Sequence, residues 1–226
     1  MALTACIAGA TGLTGQALTA LLLKDPRYGA VKVLVRKAGD MPAQLQGSKL
    51  IEVVTDYEAL TVQGKWTAGD VDHIFICLGT TMKKAGNKAN FKQVDYEYVV
   101  AVANGARDHG ADHCAVISSM GVGTDSKAYY IKIKTMMEAA LQIIGYPTLH
   151  ILRPSLLLGQ RAQPRLLESI AIFFTQLVRP ILIGPWAKYR AISAQAVAAA
   201  MQVGSYEDMR ISLRITESDQ IESLQS

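Results

Sequence analysis

The run Gly9-Ala10-Thr11-Gly12-Leu13-Thr14-Gly15 separates a short apolar stretch, residues 4–8, from residues 16–24, where Ala17, Leu18, Leu21 and Leu22 recur at helical spacing before Asp25-Pro26. The first stretch reads as a buried strand and the second as a helix, so the glycines occupy a strand-to-helix turn. Glycine at the first, fourth and seventh positions lets the chain turn sharply and lets backbone N–H groups approach a ligand that a β-carbon would keep away. The N-terminus of the helix that follows offers unpaired N–H groups and the positive end of its dipole, an arrangement suited to a pyrophosphate. The common dinucleotide fingerprint has its glycines at the first, third and sixth positions. By itself the turn therefore also admits a plain glycine-rich connection.

Further strand-like runs at residues 30–35, 50–54, 73–77, 114–118 and 149–153 alternate with helical patterns, clearest at 91–108, 129–144 and 194–203. Continuous apolar strands separated by amphipathic helices predict an α/β fold, a doubly wound parallel sheet of Rossmann type covered on both faces. A chain of 226 residues suits one domain, long enough to bury about 70% of its unfolded surface. Residues 1–216 are assigned to a nucleotide-binding domain with a small C-terminal extension on the substrate side, and residues 217–226 to a polar tail expected to fray.

Net charge is +4, too mild an excess of base for a nucleic-acid-binding protein. Cys6, Cys77 and Cys114 lie in or beside apolar runs and read as buried thiols in a reducing compartment. No signal-like segment precedes the first strand, and the two observations together predict a cytoplasmic protein. Residues 166–183 are apolar, but Glu168, Gln176, Arg179 and Pro180 interrupt them, so no membrane span is expected. A helix there would place Leu166, Ile170, Phe173, Phe174 and Leu177 on one face, to cover the sheet, line a cleft or meet a partner subunit. His73, His109, His113 and His150 lack ligand spacing, and no metal site is expected.

The second strand run ends in Arg36-Lys37. An NAD site places an acid there for the adenosine ribose, whereas a 2′-phosphate needs positive charge, which a guanidinium supplies through paired N–H bonds. The pair favours NADP (NADPH) over NAD, against the alternative of an ordinary solvated strand end. Asp56 and Tyr57 follow the third run, either to meet adenine or to form a surface turn. Leu78-Gly79-Thr80-Thr81 follows the fourth, where a glycine and hydroxyls suit close passage of ribose and phosphate.

Candidate chemistry lies in Ser118-Ser119, Tyr130 and Lys134. Tyr130 and Lys134 are four apart, so on a helix they share a face with β-carbons about 6 Å apart. A neighbouring ammonium favours the phenolate, and a serine at a strand end is placed to hold a substrate carbonyl oxygen. Tyr-x-x-x-Lys also occurs as a surface helix pair, so the order of motifs carries the reading.

Taken in order, these residues resemble the short-chain dehydrogenase/reductase superfamily in its atypical or extended, epimerase/dehydratase-like branch. The set Cys77-Leu78-Gly79-Thr80-Thr81, Lys84-Ala85-Gly86, Val94-Asp95-Tyr96-Glu97-Tyr98-Val99, Ser118-Ser119 and Tyr130-Ile131-Lys132-Ile133-Lys134 is similar to the Tat-interacting oxidoreductase family. The resemblance implies NADPH at the glycine turn, Tyr130 as proton donor, Lys134 on the nicotinamide ribose, and one of Ser118 and Ser119 as the third catalytic group. It also implies that Arg153-Pro154, in Leu152-Arg153-Pro154-Ser155, passes the nicotinamide amide, and that helices 91–108 and 129–144 pair subunits in a homodimer. Asp95 departs from the asparagine of many extended members, and the region after Pro164 is short for a substrate domain. Lys83, Lys84, Lys88 and Lys92 form either a basic lip for an acidic substrate or partner or a solvated helix start. Arg190, after Tyr189, is a further candidate for an anionic group. Three functions follow: an NADP-dependent oxidoreductase of an unidentified small carbonyl or alcohol, a non-catalytic NADPH-binding regulator with a protein partner, and a nucleotide-sugar epimerase or dehydratase.

Overall fold

The computed structural model describes residues 2–124, 126–155, 157–158, 191–206 and 212–223. The apolar segment 166–183 and the Tyr189-Arg190 pair lie outside the described residues. Strands β1 (Leu3–Ala8), β2 (Tyr28–Val35), β3 (Leu50–Val54), β4 (His73–Ile76), β5 (His113–Ile117) and β6 (Thr148–Arg153) are followed by a short pair, β7 (Leu157–Leu158) and β8 (Ile192–Ser193), and by β9 (Leu213–Glu217). Seven of them form one parallel sheet in the order β3-β2-β1-β4-β5-β6-β9. The direction of winding reverses between β1 and β4, which opens a crevice beyond their carboxyl ends.

Among the described residues the helices are α1 (Leu13–Lys24), α2 (Tyr57–Gln63), α3 (Met82–Ala85), α4 (Lys88–Lys92), α5 (Tyr98–Asp108), α6 (Tyr129–Ile144), α7 (Ala194–Gly204) and α8 (Ser218–Ser223). One face of the sheet packs on α5 and α6 through Val99, Val102, Ala106, Met137 and Leu141, the other on α1 and α7 through Leu18, Leu22, Val197 and Met201. All nine side chains are fully buried, and each of the valines, leucines and methionines contributes about 1.5–3 kcal/mol through removal from water. The parallel fold with both faces covered is the one the alternating apolar runs predict.

Two elements differ from expectation. The helix predicted over residues 91–108 is α4, a π turn at Gln93–Glu97, and α5. The π turn changes the helix phase and leaves Asp95 1% exposed; such turns often sit at functional sites. The polar tail does not fray over its first part: Glu217 ends β9 and Ser218–Ser223 is helical, with Ile221 fully buried. The Ser218 hydroxyl accepts from the Ser155 N–H and donates to the Ser155 hydroxyl, which ties this end to the segment after β6. A single buried apolar residue in a polar stretch gives no periodic signal.

Candidate functional site

The glycine turn sits at the carboxyl end of β1. Gly9 has φ +82°, and a β-carbon there would lie 2.6 Å from the Cys77 carbonyl oxygen. A β-carbon on Gly15 would lie 2.2 Å from the Gly9 carbonyl oxygen, so both positions exclude a side chain. Between them Ala10 and Thr14 are buried, Leu13 is half-buried, and Thr11 and Gly12 are exposed. Gly12 is the N-cap of α1; no side chain caps it, and the first turn carries no acidic residue. An uncapped helix start leaves N–H groups open. The turn thus has the bare backbone and positive dipole end that a dinucleotide pyrophosphate requires.

Arg36 and Lys37 are exposed just past β2, and the Lys37 N–H donates to Asp40 Oδ2 at 3.2 Å. Asp56 is the N-cap of α2, accepting from the Glu58 and Ala59 N–H groups. Tyr57 is buried in the core, its ring 5.3 Å from that of Tyr98 and its hydroxyl 3.4 Å from the Leu34 carbonyl oxygen. Burial pushes its phenol well above the ordinary range. The structure therefore does not bring the Tyr57 ring out to stack on an adenine. Leu78 and Thr80 are half-buried at the crevice with Gly79 exposed, and Thr81 caps α3 by accepting from the Lys84 N–H.

Tyr130, Lys134 and Glu138 fall four apart along α6. Tyr130 is half-buried with its ring 5.7 Å from that of Phe91, whereas the neighbouring Tyr129 hydroxyl donates to the Lys88 carbonyl and ties α4 to the start of α6. Lys134 is 3% exposed, its ammonium 2.9 Å from Asp95 Oδ1 and 3.5 Å from the Ile117 carbonyl oxygen at the end of β5. The other Asp95 oxygen accepts the Thr80 N–H at 2.8 Å. One carboxylate thus links the loop after β4 to α6.

The two serines have different roles. Ser118 is 4% exposed and its hydroxyl donates to Glu138 Oε1 at 2.5 Å. Ser119 is half-buried, and its hydroxyl donates to the adjacent Met120 carbonyl at 3.3 Å. Glu138 is also clamped by Arg153, whose Nη2 lies 2.7 Å from Oε2 and whose Nε lies 3.1 Å from Oε1, while Nη1 reaches Glu217. The Arg153 side chain is thereby committed to the joint between α6, β6 and β9. Pro154 is buried and its carbonyl accepts the Met120 N–H. Sequence reasoning missed Glu138, although it continues the four-residue spacing of Tyr130 and Lys134.

A family profile described as NAD(P)H-binding matches residues 9–162, more than half of the chain and all of the crevice residues above. The chain belongs to this NAD(P)H-binding family. Its parallel seven-stranded sheet has the fold of solved short-chain dehydrogenase/reductase proteins. Its relatives include "Protein FMP52, mitochondrial" of Eremothecium gossypii, 30% identical over 98% of this chain and 97% of that protein. "Protein HTATIP2" of Rattus norvegicus is 32% identical over 86% of this chain and 78% of that protein. A solved oxidoreductase of the short chain dehydrogenase/reductase family from Burkholderia thailandensis superimposes with a TM-score of 0.67 at 17% identity, over 99% of this chain and 94% of that one.

Family membership makes residues 9–162 an NAD(P)-binding domain, and the two glycines that cannot carry a β-carbon fit that group. The expectation of a cytoplasmic location is corrected: relatives from three organisms are named mitochondrial, which points away from a plain cytoplasmic assignment. Among the described residues no helix is long and apolar enough to cross a membrane. The three cysteines are free, and burial pushes the Cys6 and Cys77 thiols up to about 12.

Proposed function

We propose that this protein is an NADP-dependent oxidoreductase of a small carbonyl or alcohol substrate. The observation that carries the reading is the Lys134 ammonium, one turn after Tyr130 on α6, held against the Ile117 carbonyl at the end of β5 two residues before Ser119, on the side of the sheet where the turn is shaped for a pyrophosphate. Backbone N–H groups at the start of α1 hold the pyrophosphate, and Arg36 with Lys37 pairs with a 2′-phosphate. Lys134 holds the nicotinamide ribose. A bound nicotinamide supplies or accepts the hydride. In the reductive direction Ser119 donates a hydrogen bond to the substrate carbonyl oxygen, and the Tyr130 hydroxyl delivers the proton to that oxygen as the alcohol forms. Ser118 is spent on Glu138, so Ser119 takes the substrate role.

Calorimetric titration tests the cofactor: NADPH binds at least tenfold tighter than NADH, and Arg36→Asp abolishes the difference. Equal affinities in the parent protein refute the NADP assignment. Screening carbonyl compounds for NADPH oxidation tests the chemistry, with turnover lost in Tyr130→Phe while NADPH still binds.

One observation favours a second reading. The Lys134 ammonium is already neutralised by a buried carboxylate, which suits a regulator that binds NADPH without turnover. NADPH binding with no carbonyl turned over, together with a partner whose affinity depends on NADPH, supports that alternative.

A further inference from the structure

Asp95 and Lys134 form an ion pair that is closed to water, with side chains 2% and 4% exposed and 2.9 Å between Oδ1 and Nζ. Against it lie the Thr80 N–H on Oδ2, the Ile117 carbonyl on Nζ, and the Gly79 backbone, where an added β-carbon would lie 3.5 Å from Oδ1. None of these carries a net charge. The pair therefore presents zero charge at the place where the reading above puts the nicotinamide ribose. Lys134 without Asp95 would present a full positive charge in the same low-dielectric spot. An oxidised nicotinamide ring is a cation and a reduced one is neutral, so an uncompensated ammonium would discriminate against the oxidised form.

We propose that Asp95 sets the balance between oxidised and reduced dinucleotide: by neutralising Lys134 it lets the crevice accept the cationic nicotinamide as readily as the neutral one. Asp95 touches neither substrate nor cofactor in this scheme and acts through Lys134, as a positioning residue. The π turn at Gln93–Glu97 brings the carboxylate into the crevice, and the Thr80 N–H fixes its second oxygen. The inference rests on the proposed function, because it needs the nicotinamide to lie beside Lys134.

Isothermal titration calorimetry of the whole chain at pH 8 tests it, with dissociation constants for NADP+ and NADPH, and for NAD+ and NADH in parallel. Asp95→Asn is expected to weaken the oxidised form relative to the reduced form by about tenfold or more, since tenfold is the effect of a unit charge as far as about 12 Å away at an effective dielectric constant of about 20. Lys134→Met leaves the carboxylate alone and is expected to move the ratio the other way. The double variant returns the ratio to the parent value. A structural role for the pair would weaken both forms together and leave the ratio fixed. An unchanged ratio in Asp95→Asn, or a shift of the same sign in both single variants, overturns the proposal. If Asp95→Asn does not fold, the shift in Lys134→Met and its cancellation in the double variant decide. Failure of the parent protein to bind any of the four nucleotides is a different result: it overturns the proposed function, and this inference with it.

Discussion

At the scale of single residues, backbone approach decides which positions tolerate change. Gly15 lies inside α1, where glycine ordinarily costs up to about 1 kcal/mol relative to alanine, yet alanine here would press its β-carbon against the Gly9 carbonyl and the Ala10 α-carbon at 2.2 and 2.7 Å. Both obstacles are backbone and cannot swing aside. Gly15→Ala is therefore expected to destabilise the protein by about 2–3 kcal/mol, a fall of about 2–4 °C in Tm for each kcal/mol in a domain of this size, and to weaken NADPH binding; thermal unfolding and calorimetry check both. The sequence located this turn because no other residue type could serve. It could not separate Ser118 from Ser119, since the choice depends on a carboxylate that arrives from α6.

At the scale of elements, α6 is fastened to the sheet by polar groups as well as by its apolar face. Glu138 accepts from Ser118 and from two nitrogens of Arg153, and Arg153 continues to Glu217 on β9. Removing Glu138 takes the buried partner from Arg153 and the acceptor from Ser118 but leaves Arg153 paired with the partly exposed Glu217, so the cost falls below the about 3–5 kcal/mol of a buried charge left uncompensated, to about 2–3 kcal/mol. Glu138→Ala is thus expected to lose stability by that amount in urea titration, and Glu138→Gln, which retains acceptors for Ser118, by less. An equal loss in both would mean that the charge is irrelevant. Helix α6 was fully legible because its apolar positions repeat over sixteen residues. The break at Gln93–Glu97 was not, because a π turn changes hydrogen-bond partners without changing the composition that periodicity reads.

At the scale of the molecule, the two ends of the sheet differ in chemistry. The carboxyl end carries the crevice, while near the amino end His73, His113 and His150 occupy three adjacent strands, with the His73 and His113 rings 5.1 Å apart. His73 accepts or donates one hydrogen bond with the Tyr28 hydroxyl and His150 one with Thr216. His113 Nε2 and His150 Nδ1 are buried with no hydrogen-bond partner among the described residues. Burial pushes all three down, to about 4, about 3 and about 4. The folded state thus holds them neutral, while the unfolded chain takes up protons below about 6.5. Their contribution is fully present above that pH and is lost as pH falls toward 4, at about 1.4 kcal/mol per pH unit for each histidine. Thermal unfolding followed from pH 7.5 to pH 4 is expected to show this slope, and His113→Leu, packed against Phe75, is expected to flatten it by about one third. A slope unaffected by that substitution would assign the acid sensitivity to other groups.

The alternation of apolar strands and amphipathic helices determined a parallel, doubly wound sheet, and three glycines determined where a pyrophosphate can approach, because burial period and the absence of a β-carbon are properties of the chain itself. Only the tertiary structure decided that Asp95 neutralises Lys134, that Ser118 is spent on Glu138, that Tyr57 is core, and that Leu213–Glu217 adds a seventh strand. Each of those outcomes depends on groups distant in sequence meeting within hydrogen-bond or packing distance, and no local pattern encodes such a meeting.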